Sequence, residues 1–217
     1  MPQLRQGDTL KNAVKLDGGI IRFNSASFEG EMGDYCPNFY GTTILAVRSG
    51  GKTAVGGDGQ VTLGSSVLKS TANKIRVLAK GRVVAGFAGA IADAVTLFER
   101  FEAQLEKHPT SLKRAAVELA KDWRTDKYLR RLEALLITAT ADEMLIISGN
   151  GDVVEPDDDI ASIGSGADIA RAAARAFRQA GWKDARAIVE ASMHIAADIC
   201  IYTNDKITIE EITPQAQ

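Results

Sequence analysis

Gly41-Thr42-Thr43 stands where a segment rich in turn formers gives way to the β-branched, apolar run TTILAVR. A threonine hydroxyl is a weak nucleophile unless a base lies beside it, and a chain that begins at Thr42 would carry its own base as the free α-amine. That requires a cut after Gly41. Glycine suits the position, because the backbone must contort for the Thr42 hydroxyl to reach the preceding carbonyl. A free α-amine has a pKa of about 7.7 to 8.0, and a buried lysine ammonium beside it keeps it unprotonated. Lys74, opening KIRVLA, supplies such a charge. Asp58, closing KTAVGGD, supplies the carboxylate to hold it, and pairing of these two strands is expected to bring the two groups together near Thr42. Each feature has a plain alternative: an isolated GTT merely opens a strand, and an aspartate and lysine on a surface form an ion pair worth little.

Two glycine-rich pieces add candidate donors. FAGAIAD, which includes Gly89 and follows directly on Gly86, ends one predicted strand and opens a helix; GSGAD at 164–168, with Ser165, has the same setting. Unpaired N–H groups there suit an oxyanion or a phosphate equally, and plain turns and caps are the third reading. Neither GxxxxGK[ST] nor GxGxxG is present, which weakens a nucleotide reading. The two histidines, His108 and His194, rule out a three-histidine metal site and leave little scope for an imidazole base. His108 lies at a predicted helix end and His194 within a helix, so both read as ordinary structural or surface residues.

The elements that must position these groups follow from periodicity. TTILAVR and KTAVGGD form a hairpin across Ser49-Gly50-Gly51, and KIRVLA and RVVAGFAG a second across Lys80-Gly81. Ile91, Ala94, Val95, Phe98, Phe101 and Leu105 recur at three and four, predicting an amphipathic helix that ends near His108-Pro109. Leu112 to Trp123 predicts a second helix with Thr110 or Ser111 as N-cap. EALLITAT and EMLIISG pair around Ala141-Asp142, and a turn at Gly149 to Gly151 leads to DVVEP. Two further amphipathic helices, ADIARAAARAFRQAG and DARAIVEASMHIAADI, precede a last strand, KITIEEI. This order suggests two packed sheets flanked by helical layers, an α+β architecture.

Composition narrows the function classes. The 217 residues are 45% hydrophobic and 25% charged, with a formal net charge of −2, enough to bury a sizeable core in one domain. Charges of both signs are interspersed, so neither nucleic acid nor a membrane is an expected partner. The N-terminus lacks the apolar segment of a secretory signal, Cys36 and Cys200 are the two cysteines, and a reducing cytoplasm is the expected compartment. Residues 1–41 show no sustained periodicity and read as loosely structured.

TTILAVR, GGDGQVTLG, AGFAGAIADAVTLFERFE, AAVELAKDWRTD, LEALL, ISGNGDVVEP, IGSGADIARAAARA, DICIYTN and TIEE occur together and in order. From Thr42 to about Ile212 the chain resembles the HslV (ClpQ) family, proteasome β-like peptidases of bacterial two-component ATP-dependent proteases. The resemblance implies a four-layer αββα N-terminal-nucleophile (Ntn) hydrolase assembled as two stacked hexameric rings. It implies Thr42 as nucleophile, Asp58 and Lys74 as the supporting charge pair, Ser165 beside the reacting threonine, and Gly89 as backbone oxyanion donor, with Gly86 second. It implies an HslU-type AAA+ ATPase that delivers unfolded proteins and alone uses ATP; the chemistry needs no cofactor. Some members hold a monovalent cation (Na+) through backbone carbonyls of the loop matching Ala197, Cys200 and Thr203; alanine stands at 197 where glycine often occurs. Many members have Met directly before the threonine, so here residues 1–41 are expected to be a propeptide or over-extended N-terminus and 42–217 the peptidase domain. Translation from Met32 would leave the shorter leader MGDYCPNFYG. The alternatives are another proteasome-like β-subunit with a different activator, or a non-catalytic ring subunit if Gly41-Thr42 stays uncut.

Overall fold

The structure is a computed structural model that describes residues 13–15, 21–23, 39–89, 91–127, 129 and 134–214. The chain divides into two units, Met1–Cys36 and Pro37–Gln217. In the first, strands β1 (Ala13–Lys15) and β2 (Ile21–Phe23) pair antiparallel. That short hairpin departs from the expectation of a loosely structured segment. Cys36 and Met32 lie outside the described residues.

The second unit is built of four layers. One sheet has the order β13 (Ile160–Gly164), β4 (Thr43–Ser49), β5 (Lys52–Gly57), β14 (Thr208–Ile212). The other runs β12 (Val153–Val154), β11 (Met144–Ser148), β10 (Leu135–Ala139), β9 (Val83–Ala88), β8 (Ile75–Leu78). All pairings are antiparallel. Ile44, Val55, Val84, Ile137 and Ile163 form the apolar core between the sheets. Helices α1 (Ile91–Lys107) and α2 (Leu112–Thr125) cover the outer face of the larger sheet through Phe98, Phe101, Leu119 and Trp123. Helices α3 (Ala167–Gln179) and α4 (Ala185–Ile199) cover the other sheet through Ala170, Ala174, Ile188 and Met193. Each helix turns one apolar stripe to its sheet, whereas strands such as β4 are apolar on both faces, Ile44 and Ala46 toward the other sheet and Leu45 and Val47 toward the helices.

Local chemistry sets the ends of these elements. Gly50 and Gly51 turn the β4–β5 hairpin at φ 61° and 77°, a region glycine enters without steric cost. Ser111 Oγ accepts from Arg114 N at 3.2 Å, choosing between the two expected caps of α2, and Asp184 Oδ1 accepts from Ala187 N at 3.0 Å to start α4.

A third sheet, β3 (Phe39–Tyr40), β6 (Val61–Leu63) and β7 (Ser66–Lys69), leads into the reactive region from the leader side. Regular pairing therefore begins before Thr42, with Tyr40 opposite Thr62.

Two glycines let the main sheets close where the site lies. A Cβ at Gly57 would stand 2.8 Å from Ile44 Cδ1 and 3.2 Å from Ile75 Cγ1, and one at Gly86 only 2.6 Å from Ile44 Cγ2. Larger residues would hold the sheets apart. Gly86 thus serves packing, and it sits inside the ladder opposite Ile75 and Ile137. As the second choice for oxyanion donor it is displaced by this role.

Candidate active site

Thr42 is the residue before β4, 7% exposed, with its peptide bond to Gly41 intact. Its Oγ1 donates to Gly41 O at 2.6 Å. Gly41 has φ 114°, and a Cβ there would fall 3.1 Å from Thr62 Oγ1 and 3.2 Å from Gln60 O. Glycine meets both the conformation and the space.

Asp58 and Lys74 meet in the buried interior, but not as expected. They do not lie on paired strands: Asp58 follows β5 in one sheet and Lys74 precedes β8 at the edge of the other. The contact is made across the sandwich, where Gly57 lets Ile75 approach. Lys74 Nζ donates to Asp58 Oδ1 at 2.8 Å, Gln60 O at 2.6 Å and Gly41 O at 2.6 Å, so all three ammonium protons have acceptors. Burial pushes the Lys74 ammonium below the ordinary lysine range, and the charge and hydrogen bond of Asp58 offset part of that fall. Asp58, 1% exposed, accepts from Thr43 N at 2.7 Å, from Gln60 N at 2.9 Å and from Asn204 N at 3.4 Å. A pair so enclosed is not the surface ion pair of the plain alternative.

Ser165 is at the site, on the carbonyl side of Thr42. Its N–H donates to Thr42 O at 2.8 Å and its Oγ to the same oxygen at 3.2 Å. Gly166 N donates to Thr43 Oγ1 at 2.9 Å, and that hydroxyl lies 2.7 Å from Thr203 Oγ1. The N–H groups of Ser165 and Gly166 are therefore spent on the Thr42-Thr43 backbone and side chain and are not free for an oxyanion or a phosphate. Gly164, at φ 96°, is required here because a Cβ would lie 2.0 Å from Thr42 O. Gly89 stands one residue beyond β9 at φ 151°. Ala197 falls in the last turn of α4, and Cys200 and Thr203 in the segment after it, with Cys200 O accepting from Thr203 N at 3.0 Å. His194 is exposed on α4 and His108 follows α1.

Three residues at the site escaped the sequence reading. Thr43 and Gln60 lay inside quoted motifs, and Asn204 closes DICIYTN, yet much of what they contribute is main-chain N–H and C=O, which side-chain type does not announce.

A proteasome-subunit family profile matches residues 39–212. The chain is 64% identical over 171 residues to the ATP-dependent protease subunit HslV of Aquifex aeolicus (strain VF5), covering 79% of this chain and 97% of that protein. The chain belongs to the HslV family. Among solved structures, eukaryotic HslV from Trypanosoma brucei superposes with a TM-score of 0.76 at 48% identity, covering 79% of this chain and 99% of that one. BPH of Thiobacillus denitrificans, solved in complex with epoxomicin, shares the fold at a TM-score of 0.66 and 20% identity, covering 80% and 100%. The four layers are thus those of the proteasome-type Ntn hydrolases, and membership in the HslV family makes this chain a threonine-type peptidase.

Proposed function

We propose that this chain is the proteolytic subunit of a two-component ATP-dependent protease, with Thr42 as the nucleophile once the leader is removed after Gly41. The observation that carries the proposal is the convergence of Thr42 Oγ1 and Lys74 Nζ on the one carbonyl oxygen of Gly41, both at 2.6 Å. For leader removal, Thr42 Oγ1 attacks the Gly41 carbonyl carbon, and its proton passes by way of solvent water to the Thr42 nitrogen as that nitrogen departs. The oxyanion develops on the atom that Lys74 already contacts, where a preset charge is most effective. The C–N bond breaks, leaving an ester and a free Thr42 amine; water then hydrolyses the ester and releases the leader carboxylate.

In the mature enzyme the amine takes the Oγ1 proton as Oγ1 attacks a substrate carbonyl. The acyl-enzyme forms, the leaving amine departs protonated, and water restores Thr42. Lys74, its third acceptor gone with Gly41, turns toward Thr42 and steadies the alkoxide. Ser165 fixes the Thr42 carbonyl, and Gly89 offers its N–H to the substrate oxyanion. A neutral amide cannot accept the proton, so the uncut chain is a zymogen.

The partner in this reading is an HslU-type AAA+ ATPase, the assembly two stacked hexameric rings, the substrates unfolded polypeptides and the compartment the cytoplasm. None of the described helices is long and apolar enough to cross a membrane. The carbonyls of Ala197, Cys200 and Thr203 would hold a monovalent cation. Hard oxygen donors at the C-terminal end of α4, where helix carbonyls lack intrahelical partners and the dipole is negative, fit such an ion. The ion would brace the loop, and no step of the reaction passes through it.

The test is the intact mass and peptidase activity of the parent and of Thr42→Ala. The parent is expected to begin at Thr42 and to cleave peptides; Thr42→Ala is expected to keep Gly41 and to be inactive, while Thr42→Ser retains some activity. Full activity in Thr42→Ala, or in a parent that keeps its leader, overturns the proposal.

A further inference from the structure

Two carboxamides join the charge pair to the segment after α4. Gln60 is 6% exposed. Its backbone touches both members of the pair: its N–H donates to Asp58 Oδ2 at 2.9 Å, and its carbonyl accepts from Lys74 Nζ at 2.6 Å. Its side-chain Nε2 reaches the other way, donating to Ile201 O at 2.8 Å and Thr62 Oγ1 at 3.0 Å. Asn204 closes the circuit from the far side. Its N–H donates to Asp58 Oδ2 at 3.4 Å, its Oδ1 accepts from Gly59 N at 3.0 Å, and its Nδ2 donates to Ser70 O at 2.9 Å. Residues 58, 59 and 60 are thus each tied to the 201–204 segment.

We propose that Gln60 and Asn204 are positioning residues of the peptidase reaction, an amide clasp through which the 201–204 segment fixes the Asp58 carboxylate and the Lys74 ammonium. The inference rests on the reading of Thr42, Asp58 and Lys74 as the reacting group. Of the three acceptors on Lys74, Gly41 O leaves with the leader. The two that stay, Asp58 Oδ1 and Gln60 O, belong to residues the clasp holds. After maturation the direction of the ammonium therefore depends on the clasp, together with the Thr43 N–H that also holds Asp58, and a displacement of about 1 Å at such a group costs on the order of 10²-fold in rate. The fixed donor and acceptor sense matters: an apolar residue at 60 would fill the space and leave Ile201 O and Thr62 Oγ1 without this donor.

The experiment uses the full chain carrying Gln60→Ala or Asn204→Ala. Active sites are counted with an electrophile that labels the freed threonine, and kcat and KM for a small peptide are followed against pH. The expected result is a kcat per labelled site lower by roughly 10- to 100-fold, KM changed by less than about threefold, and an alkaline limb moved to lower pH. The shift follows because a carboxylate aimed less well raises the Lys74 pKa less, and Asp58 is the charged group acting on Lys74. The other titratable groups of the segment, Cys200, Tyr202 and the ion pair of Asp205 with Lys206 at 3.2 Å, are kept in both variants. A merely structural role would lower Tm and the number of labelled sites but leave kcat per site and the limb at parent values, and that result overturns the clasp. If Gln60→Ala does not fold, half-buried Asn204→Ala carries the same two outcomes. Thr42→Ala run in parallel separates the failures: activity there sinks the proposed function, whereas an inactive Thr42→Ala beside clasp variants at parent kcat sinks the clasp alone.

Discussion

Lys74 shows how burial and pairing divide the work at a single residue. Its desolvation favours the neutral amine, and Asp58 pulls back toward the ammonium. Asp58→Asn removes that pull, so the Lys74 pKa falls further. An activity that needs the ammonium disappears as pH rises through this pKa, and the alkaline limb of the peptidase rate must therefore move to lower pH in Asp58→Asn; a limb that stays in place would show that the ammonium is not required. Lys74→Ala is expected to lower turnover roughly 10²- to 10⁴-fold, the scale of lost proton-transfer assistance. Removing one partner of a buried pair often unfolds a protein, but here Asp58 retains the N–H groups of Thr43, Gln60 and Asn204. A far-ultraviolet spectrum like the parent's, with activity lost, is the expected pairing of results; near-normal turnover would return Lys74 to a structural role. That Thr42, Asp58 and Lys74 come together was legible in the sequence, because threonine after glycine, lysine and aspartate are chemically distinctive types. The groups that hold them were less legible, because Gln60 and Thr43 act largely through their peptide groups.

At the scale of elements, what the sequence revealed tracks the strength of each periodic signal. The helix pairs α1–α2 and α3–α4 each bury an apolar stripe, the strands of the β4–β5, β8–β9 and β10–β11 hairpins are largely apolar and mostly buried, and all were expected where they occur. β6 and β7 escaped notice: Val61–Leu63 is short, with a shift of register after Val61, and Ser66–Lys69 is exposed throughout, so neither shows alternation. The meeting of Asp58 with Lys74 was expected, yet its route was not, because a pattern along the chain marks which face of a strand is buried and not which sheet the strand joins. The β13-to-α3 corner yields a prediction at this scale. Gly164→Ala must place a methyl within 2.0 Å of the present position of Thr42 O at a φ of 96°. Left-handed strain and overpacking together cost about 2–5 kcal/mol, a fall in Tm of roughly 5–15 °C. Since the same oxygen accepts from Ser165, leader removal should slow with it, read as uncut mass in freshly purified protein. Parent-like Tm and processing would mean that the corner does not hold Thr42.

For the whole molecule, the arrangement of reactive groups explains cleavage of a peptide bond and nothing that would unfold a protein. The chain has neither of the phosphate-binding glycine patterns GxxxxGK[ST] and GxGxxG, so work against a substrate's stability has to come from elsewhere. A compact substrate also presents its backbone inside helices and sheets, where a carbonyl cannot reach Thr42 in extended form. Two expectations follow for the mature protein by itself: it hydrolyses short flexible peptides, and it leaves a stably folded protein intact whether or not ATP is added. Adding an HslU-type ATPase is expected to change the second outcome only when ATP is hydrolysed, so a non-hydrolysable analogue should support binding of the two components without loss of the folded substrate. Gel analysis of a folded fluorescent substrate under these four conditions distinguishes the cases. Degradation by the isolated chain with ATP alone would overturn the two-component reading, as would an ATPase that unfolds the substrate without accelerating its cleavage by this peptidase.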